Sequence, residues 1–268
     1  MLSRTRRSFL RLGAALGIAG LAGCTAPGIE AREEETRTVS AADVESVEVL
    51  NSNGGIQIHT WDEDGIELHI VKRGFSADDF DSVQVDATGD KPLTIERVDQ
   101  AEAADRVSVN LEVRVPPELP VGRATTTNGG VDIQGTTGDL ETQSTNGSVE
   151  ARRIDGFVAL STTNGSITAQ DVGGIDTAQT TNGSVEVDVP AIRDDTTIES
   201  SNGGVDAALA QELNAELVAQ TTNGSVESTG LSLSDATSSR TGLSGTLSEG
   251  GPTLDVSTSN GDIELSLL

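Results

Sequence analysis

The chain is 268 residues long and carries 43 acidic against 17 basic side chains, a formal charge of −26. A surface so poor in lysine and arginine excludes nucleic-acid binding, which needs clustered cations to neutralise phosphates. A single cysteine excludes an internal disulfide framework, and one Trp with four Phe leaves little material for a thick core.

Residues 1–23 read as an export signal. Thr5-Arg6-Arg7-Ser8-Phe9-Leu10 has the twin-arginine pattern, with Arg6 and Arg7 as its pair, and an apolar run follows from Leu12 to Gly23. That run is too short to span a bilayer as a mature helix. It ends in Leu21-Ala22-Gly23-Cys24, which has the form of a lipobox, where Cys24 is lipidated and becomes the new N-terminus. Residues 24–38 are then expected to be a lipid-anchored polar tether, and the membrane a partner through that anchor. This places the chain outside the cytoplasm, on the outer face of the cell membrane. Loss of Arg4, Arg6, Arg7 and Arg11 with the signal makes the mature chain more negative still. Such charge repels itself in dilute buffer and is screened at short range in near-saturated salt. An exported, folded, acidic protein of this kind is expected in a salt-loving archaeon.

Residues 39–268 read as one domain. Around Asn53-Gly54, Val47 and Val49 precede and Ile56 and Ile58 follow, with Trp61 near the corner. Alternation continues through Ile66 to Ile70, Val83 to Val85, Leu93 to Ile95 and Val107 to Val115, with Phe75 to Asp81 as a loop. Pro116-Pro117 closes that section.

One phrase then recurs: a Ser/Thr-rich run, Asn-Gly, a small residue, and Val or Ile. It stands at Asn128-Gly129, Asn146-Gly147, Asn164-Gly165, Asn182-Gly183, Asn202-Gly203 and Asn223-Gly224, with spacings of 18, 18, 18, 20 and 21. Asn260-Gly261 follows after 37 residues, and Arg240-Thr241-Gly242 near the midpoint suggests a degenerate coil. Three residues after each Asn come Val131, Val149, Ile167, Val185, Val205, Val226 and Ile263. Leu140, Val158, Leu217 and Leu254 stand six before. This is period-2 alternation on both sides of a turn, rich in Val, Ile and Thr. A second turn carries Gly135 to Gly138, Asp155-Gly156 and Gly173-Gly174.

Two architectures fit: an antiparallel meander of type I′ hairpins, or a coil stacked on itself with equivalent strands in parallel. A meander would leave a whole face uncovered, since no helix or second sheet is visible to cover it. The small, paired apolar positions therefore predict an all-β, single-stranded parallel β-solenoid with coils of about 18–21 residues, nine to eleven in number. The Asn-Gly pairs are structural turns, with Asn and Gly tolerating positive φ and the Asn side chains stacking into a ladder. The N-terminal coils and the final Ile263-Glu264-Leu265 strand are expected to cap the exposed ladder edges.

Chemistry is sparse. His59 and His69 flank Asp62-Glu63-Asp64-Gly65, where a small metal site can be imagined, but no third ligand is forced into place, so no metal is assigned. The turns lack the Gly-Gly-x-Gly-x-Asp pattern of calcium-binding solenoids and the six to eight oxygens Ca²⁺ needs. No pair of carboxylates stands out from the acidic background as a glycosidase pair would. No catalytic residue and no cofactor is assigned. Asn146, Asn164, Asn182 and Asn223 each begin an Asn-Gly-Ser acceptor sequence, which the turn requirement explains without glycosylation.

Val47-Glu48-Val49 through Ile58, Val113-Arg114-Val115-Pro116, and the train of Asn-Gly units resemble the "putative adhesin" family of exported β-solenoid proteins, the Toastrack type, over residues 44–268. The resemblance implies a β-helical fold outside the membrane with an adhesive, scaffolding or envelope-sensing role, and no catalytic residues. The expectation is a non-enzymatic, lipid-anchored surface protein that binds another surface protein or polysaccharide. The alternatives are an accessory or sensory lipoprotein of an envelope-stress or transport system and, by fold analogy alone, a carbohydrate-active β-helix enzyme.

Overall fold

The computed structural model describes residues 31–268. The signal segment, Arg6, Arg7 and Cys24 lie outside the described residues.

Strands account for most of the chain. The N-terminal part holds β1 (Ala31–Ser40), β2 (Val47–Leu50), β3 (Ile56–Thr60), β4 (Gly65–Gly74), β5 (Val83–Thr88), β6 (Leu93–Asp99) and β7 (Ser108–Val115). The repeat block holds β8 (Val121–Asn128), β9 (Val131–Gln134), β10 (Leu140–Asn146), β11 (Val149–Asn164), β12 (Ile167–Asn182), β13 (Val185–Val189), β14 (Thr196–Asn202), β15 (Val205–Leu209), β16 (Ala215–Asn223) and β17 (Val226–Thr229). The chain ends in β18 (Leu233–Ser239), β19 (Gly242–Leu247), β20 (Thr253–Asn260) and β21 (Ile263–Leu267).

Pairing between repeats is parallel and in register, so the protein is a β-solenoid. On the flank before the Asn-Gly corner, the stacking order is β6, β2, β8, β10, the second half of β11, the second half of β12, β14, β20, β16. On the flank after it, the order is β7, β3, β9, the first half of β11, the first half of β12, β13, β15, β21, β17. Nine rungs result. Apart from β17 in the last rung, each buries its alternating residues against the opposite flank: Val149, Ala151, Val158 and Leu160 of one coil are all at most 1% exposed. A fully buried Val, Leu or Ile contributes roughly 1.5–3 kcal/mol, and the small side chains keep the two flanks close.

The spatial order is not the chain order. The first unit, β2 and β3, sits between β6/β7 and β8/β9 rather than at the end. The last, β20 and β21, is inserted between β14/β15 and β16/β17. Ile263-Glu264-Leu265 is therefore interior and does not cap the stack, with Ile263 and Leu265 at most 1% exposed. Nor is there a degenerate coil at Arg240. Residues 240–241 turn the β18–β19 hairpin, and β19 runs antiparallel along β16, closing that flank. At the other end, β4 lies antiparallel on β7, β1 on β4, and β5 on β6. Antiparallel hairpins thus protect ladder edges that would otherwise template further pairing.

Two further expectations need correction. The tether predicted to reach residue 38 is strand from Ala31 onward, because the alternating Glu35, Arg37 and Val39 fit the edge of β4 residue for residue. The loop predicted at 75–81 contains a 3₁₀ turn, Ala77–Ser82, that buries Phe80 while leaving Phe75 exposed. Arg97 is sealed inside this end, where its guanidinium donates to the carbonyls of Asn53, Ala104 and Val107.

Candidate functional site

The Asn-Gly corners form a continuous column. Asn146 donates its amide to Asn128 at 2.8 Å, Asn164 to Asn146 at 2.9 Å, Asn182 to Asn164 at 2.8 Å and Asn202 to Asn182 at 3.0 Å. Asn260 then donates to Asn202 and Asn223 to Asn260, each at 2.9 Å, which traces the inserted order. At the other end Asn53 departs from the pattern and donates to the Val107 carbonyl. The Asn residues themselves do not adopt positive φ; among these corners only glycines do, as at Gly54 with φ 125°. The stronger demand on the glycines is space. A Cβ on Gly165 would sit 2.2 Å from the Gly147 carbonyl oxygen of the neighbouring rung.

A second ladder explains the Ser or Thr that stands two residues before each Asn. Ser144 donates its hydroxyl to the Gly129 carbonyl at 2.9 Å, Thr162 to Gly147 at 2.9 Å, Thr180 to Gly165 at 2.8 Å and Ser200 to Gly183 at 2.8 Å. Thr126, Thr221 and Thr258 do the same. These hydroxyls are buried, so the partner oxygen removes a desolvation cost as well as ordering the corner. Sequence reading registered the Ser/Thr-rich run but not this fixed position within it. The same column of Asn, Gly and Thr accounts for the four Asn-Gly-Ser acceptor sequences on structural grounds.

At the far corner, Arg193 clasps several rungs. It donates to Asp139 at 2.7 Å and Asp176 at 2.9 Å, and lies 4.5 Å from the centre of the Phe157 ring. The Arg193 hydrogen bond, helped by the Phe157 backbone N–H, holds the Asp139 carboxyl below its ordinary value.

The two histidines are brought together by a residue remote in sequence. β7 lies between β4 and β3, so Glu112 stands opposite His69 on one side and Gln57 on the other. Its carboxylate lies 3.4 Å from His59 and 3.4 Å from His69. Arg114 completes the cluster, donating to Glu112 at 2.7 Å and to Glu67 at 2.9 Å, with its Nε 3.2 Å from His59. Burial pushes the Glu112 carboxyl up, but hydrogen bonds from Arg114 and His69 outweigh it and hold it below the ordinary value. A guanidinium in this position opposes a metal cation. Among the described residues no three His, Cys, Asp or Glu side chains form a metal-ligand group.

Beside this cluster a groove of about 580 Å³ opens on the outer face. It runs across six adjacent strands, from β1 and β4 through β7, β3 and β9 to β11. Arg32 and Arg73, directly opposed across the β1–β4 pair, form one wall. Gln57, Asn110 and the His69–Glu112 contact lie along the floor, and Asp132 and Glu150 form the far wall. Asn110 is fixed by accepting the Gly55 N–H at 2.8 Å. Nothing in the local sequence marks these residues as a group, because six separate segments supply them.

The architecture defines a class: a single-chain parallel β-solenoid closed by antiparallel hairpins, with an Asn column along one corner and a polar groove near one end. Residues 38–266 match the Toastrack DUF4097 family, and the chain belongs to it. Among solved structures, the chain is similar to a putative cell adhesion protein from Clostridium sporogenes, at 12% identity and TM-score 0.40, covering 89% of this chain and 100% of that one. It is also similar to putative adhesins from Bacteroides fragilis (12% identity, TM-score 0.41, 88% and 97% covered) and Parabacteroides distasonis (9%, 0.41, 87% and 97%). Superposition at this level carries no argument about what this chain binds. No curated protein matches the chain. No helix among the described residues is long and apolar enough to cross a membrane.

Proposed function

We propose that the chain is a non-enzymatic surface protein of a salt-loving archaeon, exported through its twin-arginine signal, held on the outer face of the membrane by Cys24, and acting as an adhesin or envelope scaffold. The observation that carries this reading is the groove beside a nine-rung rigid stack, close to Ala31, the first described residue. A stacked ladder offers a fixed outer surface at little entropic cost on binding, and the groove adds a concave polar recess to it. The cluster of His59, His69, Glu112 and Arg114 is mutually neutralised, which suits a structural tie rather than proton transfer.

The test is made on intact cells. External protease should degrade the protein, Cys24→Ala should release it from the membrane fraction, and deletion should reduce attachment or disturb surface assembly. Complete protection from protease in intact cells would refute the surface reading. Deletion with unchanged attachment and surface assembly would refute the adhesive or scaffolding role.

A further inference from the structure

We propose that the groove bounded by Arg32 and Arg73 binds a saccharide unit carrying one carboxylate or sulfate group. The inference deepens the surface reading above by naming a ligand chemistry, and rests on it for biological meaning.

The anomaly is Arg73. In a chain where carboxylates outnumber cations 43 to 17, the other cations of β1, β4 and β7 are paired: Lys72 with Glu33 at 3.1 Å, Arg114 with Glu67 and Glu112, Arg37 with Glu35 and Arg32 with Glu34. Arg73 forms no ion pair among the described residues, and it stands directly opposite Arg32. Like charges facing each other across a strand pair are destabilising. Both guanidiniums line the same concavity, where a planar fork of N–H donors matches a carboxylate or sulfate.

The rest of the groove selects what is attached to that anion. Asp132 repels a second negative charge, so phosphate-rich polyanions are disfavoured, whereas Glu112 is already neutralised by Arg114. Their oxygens, with the amides of Gln57 and Asn110, accept from and donate to hydroxyl groups. No Phe, Tyr or Trp lines the groove, and His69 is held by Glu112, so it lacks the large stacking platform a nucleobase would use. The volume falls in the range of small-molecule sites, roughly 300–1,000 Å³. An anion on one side and hydroxyls on the other describe an acidic sugar.

The experiment uses the full chain, purified from membranes in detergent and molar KCl, with glucuronate, glucose and inorganic sulfate as probes in ligand-observed NMR titrations. Glucuronate should bind at least about tenfold more tightly than glucose, and Arg73→Gln should weaken glucuronate about tenfold or more with an unchanged unfolding midpoint. Asp132→Asn removes a repelling charge but also costs the sugar hydroxyls one of two carboxylate oxygens, so it should strengthen sulfate more than glucuronate. Equal affinity for glucose and glucuronate overturns the proposal, as does an Arg73→Gln variant that binds glucuronate normally. An Asp132→Asn gain for glucuronate as large as that for sulfate would show a bare anion site and overturns it too. No detectable glucuronate binding overturns the ligand assignment while leaving the cell-surface result standing. Protease protection in intact cells would end the surface reading even if glucuronate binds.

Discussion

Replacing Gly165 by alanine isolates the close approach of neighbouring rungs from every other property of glycine. Gly165 is not among the positive-φ residues, so an alanine meets no backbone strain there. Its Cβ would nevertheless lie 2.2 Å from the Gly147 oxygen, 2.4 Å from the Gly147 carbon and 2.7 Å from the Ser148 nitrogen, all backbone atoms. Ordinary contact begins near 3.4 Å, so the rungs must part by about 1.2 Å. That movement stretches the bonds from Gly147 N–H to the Asn164 carbonyl (2.9 Å) and from Val149 N–H to the Ser166 carbonyl (3.0 Å), taking them to about 4 Å, beyond hydrogen-bonding range. Two lost bonds at about 1 kcal/mol each, plus about 1–3 kcal/mol for overpacking, give a destabilisation of about 3–5 kcal/mol. Gly122 is the matched control: it lies in β8, and a Cβ there meets nothing within 4 Å. Gly122→Ala should leave stability unchanged or raise it by about 0.4–1 kcal/mol through the unfolded chain. Urea unfolding in molar KCl reads both. A Gly165→Ala variant within about 1 kcal/mol of the parent, or equal to Gly122→Ala, would show that the rungs yield and that the argument is wrong.

Thr162→Val should cost about 1 kcal/mol by removing the donor to the Gly147 carbonyl, whereas Thr162→Ser should retain most of it; equal midpoints for the two variants would deny the hydroxyl ladder an energetic role. Truncation after Gly251 removes β20 and β21 from inside the stack and should expose residues 196–247 to limited proteolysis, while β8 to β12 stay resistant; unchanged resistance over 196–247 would contradict the inserted order. The folded pKa of Glu112 is below its unfolded value of about 4.3, so its contribution is fully present above that value and fades as pH falls through the folded one. The urea midpoint should therefore drop less between about pH 6 and about pH 3 in Glu112→Gln than in the parent, and identical slopes would remove Glu112 from the acid response.

The parallel solenoid is legible because its physics is local and repeated. Val131, Val149, Ile167 and Val185 share a place relative to their Asn, and each pairs in register with its equivalent on the next rung. The residue two before each Asn was equally available but hidden, since Ser and Thr also fill the exposed positions around it. Only burial separates Thr162, at 7% exposure, from the exposed Thr163 beside it. The groove was not legible at all. Arg73, Glu112 and Asp132 lie on strands joined by the antiparallel packing of β4 on β7, and no periodicity reports that pairing.

The misplaced termini follow from the repeat itself. Because every rung offers the same corner, Asn260 donates to the Asn202 side-chain oxygen and accepts from the Asn223 amide, and Ile263 pairs with Val205 on one side and Val226 on the other. A regular repeat therefore specifies register strongly and neighbour order weakly. What decides the order is non-repetitive sequence. β18 and β19 carry no Asn-Gly corner, so they cannot extend the parallel stack. They fold back as an antiparallel edge on β16, and the chain that follows enters the stack on the inner side of that rung. The N-terminal end repeats this logic, with β4 on β7 closing the edge outside the inserted β2 and β3. The irregular segments that fix the order of the rungs also build the Arg32 and Arg73 wall of the groove, so this recess sits where the repeat is interrupted.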